Sequence, residues 1–429
     1  MKITRSIVLA IALVVGSSTA LAKAPPSVAA EKVGMSSERL NRITQMSQRY
    51  VDQGKFAGVI TMVARKGKLV HFEAVGTKGA DDKRTLKKDD LFRIYSMTKP
   101  ITAAAAMQLY EQGKFQLSDP VHKYVPELKD LNVLLNGELV PVKTPMTMHQ
   151  LLTHTAGFSY GFNPAGDPID KLYQQAKLWS AKDLGEFATL VGKLPLKFEP
   201  GSQWHYSIAV DVTGLIVQRL SGMPFDEYLQ KNIFEPLTMK DTFFEVPKNK
   251  AERFLPNHYW NPQTKALGTI PNKPDDAAMA NYHNVSLYSG GGGLVSTAMD
   301  YMKFAEAMRS GGVLNGQRIL SEKTVNYMAK NHLPSDMAAT GVGESPGQSA
   351  EQRGFGFGLG FGVVTDAVKA AVMGSNGEFN WGGAAGTVFW IDPVEEIVVV
   401  GMVQLMGSPW TFRQDLKIAS YQAITESYE

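Results

Sequence analysis

Two stretches of strong β character stand near opposite ends of this chain, and the residues between them read mostly as helix. "FAGVITMVARKGKLVHFEAVG" (Phe56–Gly76) contains two β-rich runs joined at Lys66-Gly67, a hairpin signal. "GTVFWIDPVEEIVVVGMVQ" (Gly386–Gln404) repeats the pattern around a turn at Asp392-Pro393. The Gly-spaced run "GFGFGLGFGVV" (Gly354–Val364) reads as one further strand. Leu40, Ile43, Met46 and Tyr50 share a face of a predicted helix over Ser37–Val51, capped by Ser36 or Ser37, and Thr411–Ser427 has helical spacing as well. Strands and helices at both ends therefore read as one α/β body, residues 31–112 plus 285–429. Residues 113–284 form a mostly helical insert, exemplified by Ser180–Leu194 and by Ser207–Gly222, which closes on a C-cap glycine. "DMAATGVGESPGQSAEQRG" (Asp336–Gly354) is polar and Gly/Ser-rich and reads as a mobile loop.

Composition narrows the chemistry. Across 429 residues 44% are hydrophobic and 20% charged, the balance of a folded globular protein of two or three domain-sized units. There is no cysteine, which excludes disulfides, a catalytic thiol and zinc–thiolate or iron–sulfur sites, so the core must hold the fold. The first residues, "MKITRSIVLAIALVVGSSTALAKAPP", carry a basic start at Lys2 and Arg5, then an apolar run too short to span a bilayer comfortably. Ala20-Leu21-Ala22 completes the pattern of an export signal, cleaved near Ala22, so the mature protein is expected in the periplasm or outside the cell. No other stretch approaches a transmembrane helix. Without Lys2 and Arg5, 42 basic face 41 acidic residues, and that balance offers no electrostatic reason for a nucleic-acid or anionic-membrane partner.

Two motifs compete to supply a nucleophile. "GFSYG" (Gly157–Gly161) fits G-x-S-x-G, which has meaning only as strand, tight turn, helix. Ser159 fails that context. "MHQLLTHTAG" before it has helical spacing, and in "FNPAGDPID" after it Pro164 and Pro168 argue against a helix. The pattern recurs around Ser345 in "GESPG", as a chain with 40 glycines readily allows. "YSMTKP" (Tyr95–Pro100) instead fits S-x-x-K. Here Ser96 sits at the start of a predicted helix running from about Met97 to Gly113, where backbone N–H groups favour developing negative charge. Lys99 is one turn on, on the same face, and a desolvated lysine loses pKa and can accept the serine's proton. Pro100 falls in the first turn, where its missing N–H is harmless.

Further segments follow in order: "LLTHTAGF", "FEPGSQWHYSIAVDVTGLIVQRLSG", "YLQKNIFEPLTMKDTFF" and "SGGGGLVSTAMDYMKFAEAM". With S-x-x-K they resemble the class C β-lactamase-like superfamily of penicillin-binding serine hydrolases, over nearly the whole chain from about Ser37. The resemblance implies an antiparallel sheet flanked by helices, with an inserted mostly helical domain. It implies that Tyr206 stands beside the nucleophile. The superfamily's Y-x-N reads here Tyr206-Ser207-Ile208, without the asparagine that helps hold a β-lactam amide. The lysine motif K-T-G reads Trp381-Gly382-Gly383, just ahead of a strong strand, so the lysine that would meet a substrate carboxylate is a tryptophan. Both departures resemble the family VIII carboxylesterases. The resemblance further places an oxyanion hole at the backbone N–H groups of Ser96 and Ala384. An ester carries no obligatory carboxylate, and Trp381 would offer an apolar wall to an acyl or alcohol group.

The implied activity is a serine carboxylesterase acting on short-chain esters, with Lys99, Tyr206 or both as base and a small-molecule ester as substrate. β-Lactamase and D-amino-acid peptidase activities are the alternatives within the same fold, and an inactive binding protein is the alternative outside it. No cofactor is implied. His149 and His154 are five apart and no H-E-x-x-H occurs, which argues against a metal; His154 reads as a structural hydrogen-bonding residue. "SGGGG" (Ser289–Gly293) lacks a following G-K-[ST] and reads as a tight segment before a helix starting near Ser296 or Thr297, not as a nucleotide loop.

Overall fold

The computed structural model describes residues 24–135, 137–270, 282–335, 337, 339 and 354–428. The leader 1–22, Ser345 and most of Asp336–Gly354 lie outside the described residues.

Seven antiparallel strands make the main sheet: β1 (Gly58–Arg65), β2 (Lys68–Gly76), β3 (Phe355–Phe357), β4 (Gly362–Val364), β5 (Phe379–Gly382), β6 (Val388–Asp392) and β7 (Ile397–Met402), in the spatial order β3-β4-β5-β6-β7-β1-β2. The two ends of the chain meet where β1 pairs with β7, Ile60 opposite Met402 and Arg65 opposite Ile397. Lys66 and Gly67 both have positive φ (53° and 69°), the two-residue turn whose twist suits a hairpin. β1 reads as an almost unbroken apolar run because both faces are covered. Val59 and Val63 face a layer made by α1 (Ser37–Asp52) and the C-terminal helix, while Ile60, Met62 and Ala64 face the larger core on the other side.

Five helices carry the argument: α1, α2 (Thr98–Glu111), α3 (Ala209–Ser221), α4 (Ala298–Arg309) and α5 (Phe412–Tyr421). Ser36 caps α1, its side chain accepting from Arg39 N–H, and Thr297 caps α4 in the same way. α2 is apolar almost all round and is buried from Thr98 to Leu109, the mark of a central rather than a surface helix. Its Ile101 shares one continuous core with Val212 and Leu215 of α3, Phe304 of α4, and Met62 and Val400 of the sheet.

The structure departs from the sequence reading in four places. The Gly354–Val364 run is two strands, not one: Gly358 N–H bonds Phe361 C=O at 2.8 Å and Gly360 takes φ 87°, a reversal the glycine makes possible. α5 stops at Tyr421, short of Ser427, because the next residues leave the helix to pair with the start of the chain; Thr425 N–H and Glu426 N–H both bond Gly34 C=O. Pro168 does not block a helix. It occupies the first position of Pro168–Gln175 behind the Asp167 cap, where it has no hydrogen bond to lose. Residues 113–284 also hold two hairpins, Asn132–Leu135 with Glu138–Pro141 and Asn257–Asn261 with Ala266–Ile270. The second of these pairs in parallel with Leu405–Met406.

One buried ion pair locks the chain ends. Arg65, at 0% exposure, bonds Glu395 Oε2 at 2.6 Å, and its other N–H groups reach the carbonyls of Val33, Gly34, Glu395 and Glu426. Every donor of the guanidinium is used, as a buried cation requires.

Candidate active site

Ser96 lies in a single 3-10 turn, Tyr95–Met97, that runs directly into α2. Tyr95 has φ 43°, an unusual value for a large side chain, and its hydroxyl is tied to Asn257 Nδ2 at 2.8 Å. Tyr301 of α4 donates to Met97 C=O at 2.9 Å, and Leu294 N–H donates to Thr98 Oγ1 at 3.2 Å. The turn holding the serine is thus fixed from three directions.

Around Ser96 Oγ the structure brings together the residues picked out by S-x-x-K and by the tyrosine motif. Tyr206 OH donates to it at 2.6 Å, and Lys99 Nζ lies 3.3 Å away. Lys99 is 1% exposed, donates to Gly291 C=O at 2.7 Å, and sits over the rings of Tyr206 (4.4 Å) and Tyr160 (5.0 Å). Burial pulls its ammonium down to about 7, against the opposing charge of Asp211. Burial acts oppositely on the phenol of Tyr206 and pushes it well above its ordinary value, against smaller opposing effects that include the Ser96 hydrogen bond and the nearby charge of Arg413. Near neutral pH the lysine can therefore exist as a free amine while the tyrosine keeps its proton.

Tyr206 is aimed by "LLTHTAG". Ser207 N–H donates to His154 Nδ1 at 3.3 Å, so that nitrogen is the acceptor and the proton of the neutral ring belongs on Nε2. His205 N–H donates to His154 C=O at 2.9 Å, and the imidazole packs 5.0 Å from the Tyr206 ring. Burial, then the charge of Lys99, holds His154 well below its usual pKa, so it stays neutral. His149 contacts His332 (Nε2 to Nδ1, 3.2 Å), and no group of three or more metal-binding side chains occurs among the described residues.

Ser159 lies elsewhere and is closed off. It is 0% exposed, its hydroxyl donates to Asp170 Oδ1 at 2.5 Å, and it accepts from Gly161 N–H at 3.0 Å. The second serine motif is a loop tie.

Trp381 and Gly382 are the last residues of β5, and Gly383 and Ala384 begin the turn into β6, so the Trp-Gly-Gly motif straddles a strand end. Trp381 packs on Tyr206 at 5.5 Å between ring centres. Gly383 is tight: a Cβ there would stand 2.4 Å from Ile94 C=O, just ahead of the Ser96 turn. Ala384 is exposed, and its N–H has no hydrogen-bond partner among the described residues. Ser96, Tyr206, Trp381, Gly382, Gly383 and Ala384 all line one open cleft of about 1100 Å³.

Two features, Asp211 and Arg413, had no signature in the sequence. Asp211 on α3, fully buried, accepts from Ser289 Oγ, from Gly291 N–H at 2.9 Å and from Tyr160 OH at 3.2 Å. It thereby shapes the loop whose carbonyl holds Lys99. Within "SGGGG" this contact requires the glycine at 291, since a Cβ there would stand 2.3 Å from Asp211 Oδ2. Arg413 on α5 donates to Gly383 C=O at 2.6 Å and Thr387 C=O at 3.0 Å, bracing the turn that carries Ala384.

The beta-lactamase family model matches residues 43–422, nearly the whole described chain. The chain belongs to the beta-lactamase family. Esterase EstB of Burkholderia gladioli is 28% identical over 365 residues, covering 82% of this chain and 86% of that protein. Lovastatin esterase of Penicillium rubens is 29% identical over 386 residues, covering 83% of this chain and 91% of its own length. Among solved structures, EstCE1, described as a hydrolase with promiscuous acyltransferase activity, superposes with a TM-score of 0.77 at 26% identity, over 90% of this chain and 99% of EstCE1. Family, fold and esterase relatives together make this chain a serine hydrolase with a β-lactamase-type fold. No described helix is long and apolar enough to cross a membrane.

Proposed function

We propose that this chain is a carboxylic ester hydrolase working through an acyl-serine on Ser96. The observation that carries the reading is a serine hydroxyl 3.3 Å from a buried amine whose pKa falls to about 7, and 2.6 Å from a phenol, at the wall of a cleft. Ser96 Oγ attacks the ester carbonyl carbon and its proton passes to the free amine of Lys99. The new oxyanion is met by the N–H groups of Ser96 and Ala384. As the C–O bond to the alcohol breaks, Tyr206 hands its proton to the departing oxygen and is reprotonated from Lys99. Water then attacks the acyl-serine with Lys99 again as base, releasing the acid and restoring Ser96. The opposite displacements of the two pKa values favour Lys99 as base and Tyr206 as relay.

Two substitutions support ester over β-lactam chemistry. Ile208, where the family motif has asparagine, is at 0% exposure in the core, so position 208 offers the cleft no amide. Trp381 replaces the carboxylate-binding lysine with an apolar wall. The leader's pattern supports export to the periplasm or beyond as part of the same proposal.

The test is turnover of p-nitrophenyl butyrate beside that of a chromogenic cephalosporin. We expect ester cleavage to be lost in Ser96→Ala and kept in Ser159→Ala, with a fluorophosphonate probe labelling Ser96. Fast cephalosporin hydrolysis with feeble ester turnover would instead make the chain a β-lactamase.

A further inference from the structure

The cleft is larger than the chemistry needs. Drug-sized ligands sit in pockets of roughly 300–1,000 Å³, and this one reaches about 1100 Å³. Its outer part is built from apolar side chains held in water. Val368 is 90% exposed, Phe162 75%, Ile418 53% and Met373 49%, and all four line the cleft that contains Ser96. Exposed apolar residues scattered singly need no explanation, but a set gathered on one cleft does.

The segment presenting Val368 and Met373 is held by hydrogen bonds. Asp366 Oδ1 accepts from Lys369 N–H at 3.0 Å, and Asn376 Oδ1 accepts from Ala367 N–H at 2.8 Å. Thr365 N–H bonds Gly354 C=O at 2.8 Å, anchoring the segment beside β3. Ala371 closes the turn at φ 53°, a strained value for alanine. Val368, Ala371, Val372 and Met373 therefore form a standing wall, and Ile418 of α5 lines the same space. Trp381 joins this wall to the reacting serine, since it contacts Tyr206 and lines the same cavity.

We propose that the wall formed by Val368, Met373 and Ile418 is a subsite for an extended apolar group on one side of the scissile ester, so that the substrates are esters with a medium or long hydrocarbon arm rather than the short-chain esters expected from the sequence. The inference rests on the ester-hydrolase reading above. The occupant is the substrate itself, because the wall is continuous with the nucleophile's cleft; a lipid surface or a second copy of the chain would have no need of that continuity.

Two series of soluble esters test it. One varies the acyl group from acetyl to octanoyl on p-nitrophenol, and the other varies the alcohol from ethyl to octyl on a fixed butyryl group. Full burial is worth about fourfold in kcat/KM per methylene. In an open cleft we expect about a two- to threefold rise per methylene over several carbons, in one series but not both. Val368→Asp with Ile418→Asp, both at exposed positions, should cut kcat/KM for the longest member at least tenfold and leave the acetyl or ethyl ester within twofold. Overturning results are a flat dependence on length in both series, or equal losses on short and long esters. Binding to phosphatidylcholine vesicles, or dimerisation, that the double variant abolishes while leaving chain-length preference unchanged would also overturn it. Ser96-dependent turnover of the acetyl ester separates these failures from failure of the hydrolase reading itself.

Discussion

A single physical cause, removal from water, acts on two adjacent side chains of the site with opposite results. Lys99 is drawn down to about 7 and Tyr206 is pushed up. For the proposed base the free amine is the working form, so kcat/KM should rise with pH through an apparent pKa of about 7 and then level, with no fall near pH 10. A pH–rate profile on p-nitrophenyl butyrate checks this. Tyr206→Phe should keep that inflection and lower the plateau about 10²–10⁴-fold, the range for losing a positioned proton carrier. The same depressed pKa bears on stability. A lysine whose folded pKa lies below its unfolded value costs stability most below pH 7, and the cost fades as pH rises toward 10.5. Lys99→Met should therefore be inactive yet more stable by about 1–3 kcal/mol at pH 6, with the gain shrinking by pH 10, as denaturant titrations at the two pH values would show. That Ser96 and Lys99 stand side by side was legible from sequence because a helix start fixes the spacing of S-x-x-K. Tyr206 became legible only through the family resemblance. Asp211 and Arg413 were not legible at all: each acts through backbone groups of a distant segment, and no local spacing encodes that.

Elements were readable where one physical signal dominated. The apolar stripe and serine cap marked α1, the paired β runs with Lys66-Gly67 marked the first hairpin, and Gly222 marked the end of α3. The signal failed where backbone reversal or tertiary pairing took over, as in the turn that splits β3 from β4 and the early stop of α5. The glycine loop 289–293 is the instructive case. Its composition announced a tight segment but not its purpose, which depends on Asp211 arriving from α3. Gly291→Ala puts a methyl group 2.3 Å from Asp211 Oδ2 and 2.6 Å from Tyr160 OH, so the loop must move. We expect a loss of about 1–3 kcal/mol in denaturant unfolding. Because Gly291 C=O orients Lys99, kcat should fall about 10–100-fold in the fraction that folds.

At the scale of the molecule, the joining of both chain ends in one sheet was legible, but the means of fastening them was not. Arg65 reads as an ordinary hairpin arginine, yet it bonds the loop after β6, the segment before α1 and the last residues described. Arg65→Met leaves Glu395 buried without its partner and should cost about 3–5 kcal/mol. By thermal unfolding the midpoint should drop by roughly 3–6 °C. Adding Glu395→Leu should recover much of that loss, since the charge left behind is most of the penalty. The pairing of β1 with β7 has a consequence for synthesis. As the chain is synthesised, the N-terminal hairpin emerges early, but one of its long sides waits for residues 397–402. Until that segment arrives the side is open to any passing strand, so a product cut short before residue 397 would carry an unpaired, aggregation-prone edge along β1.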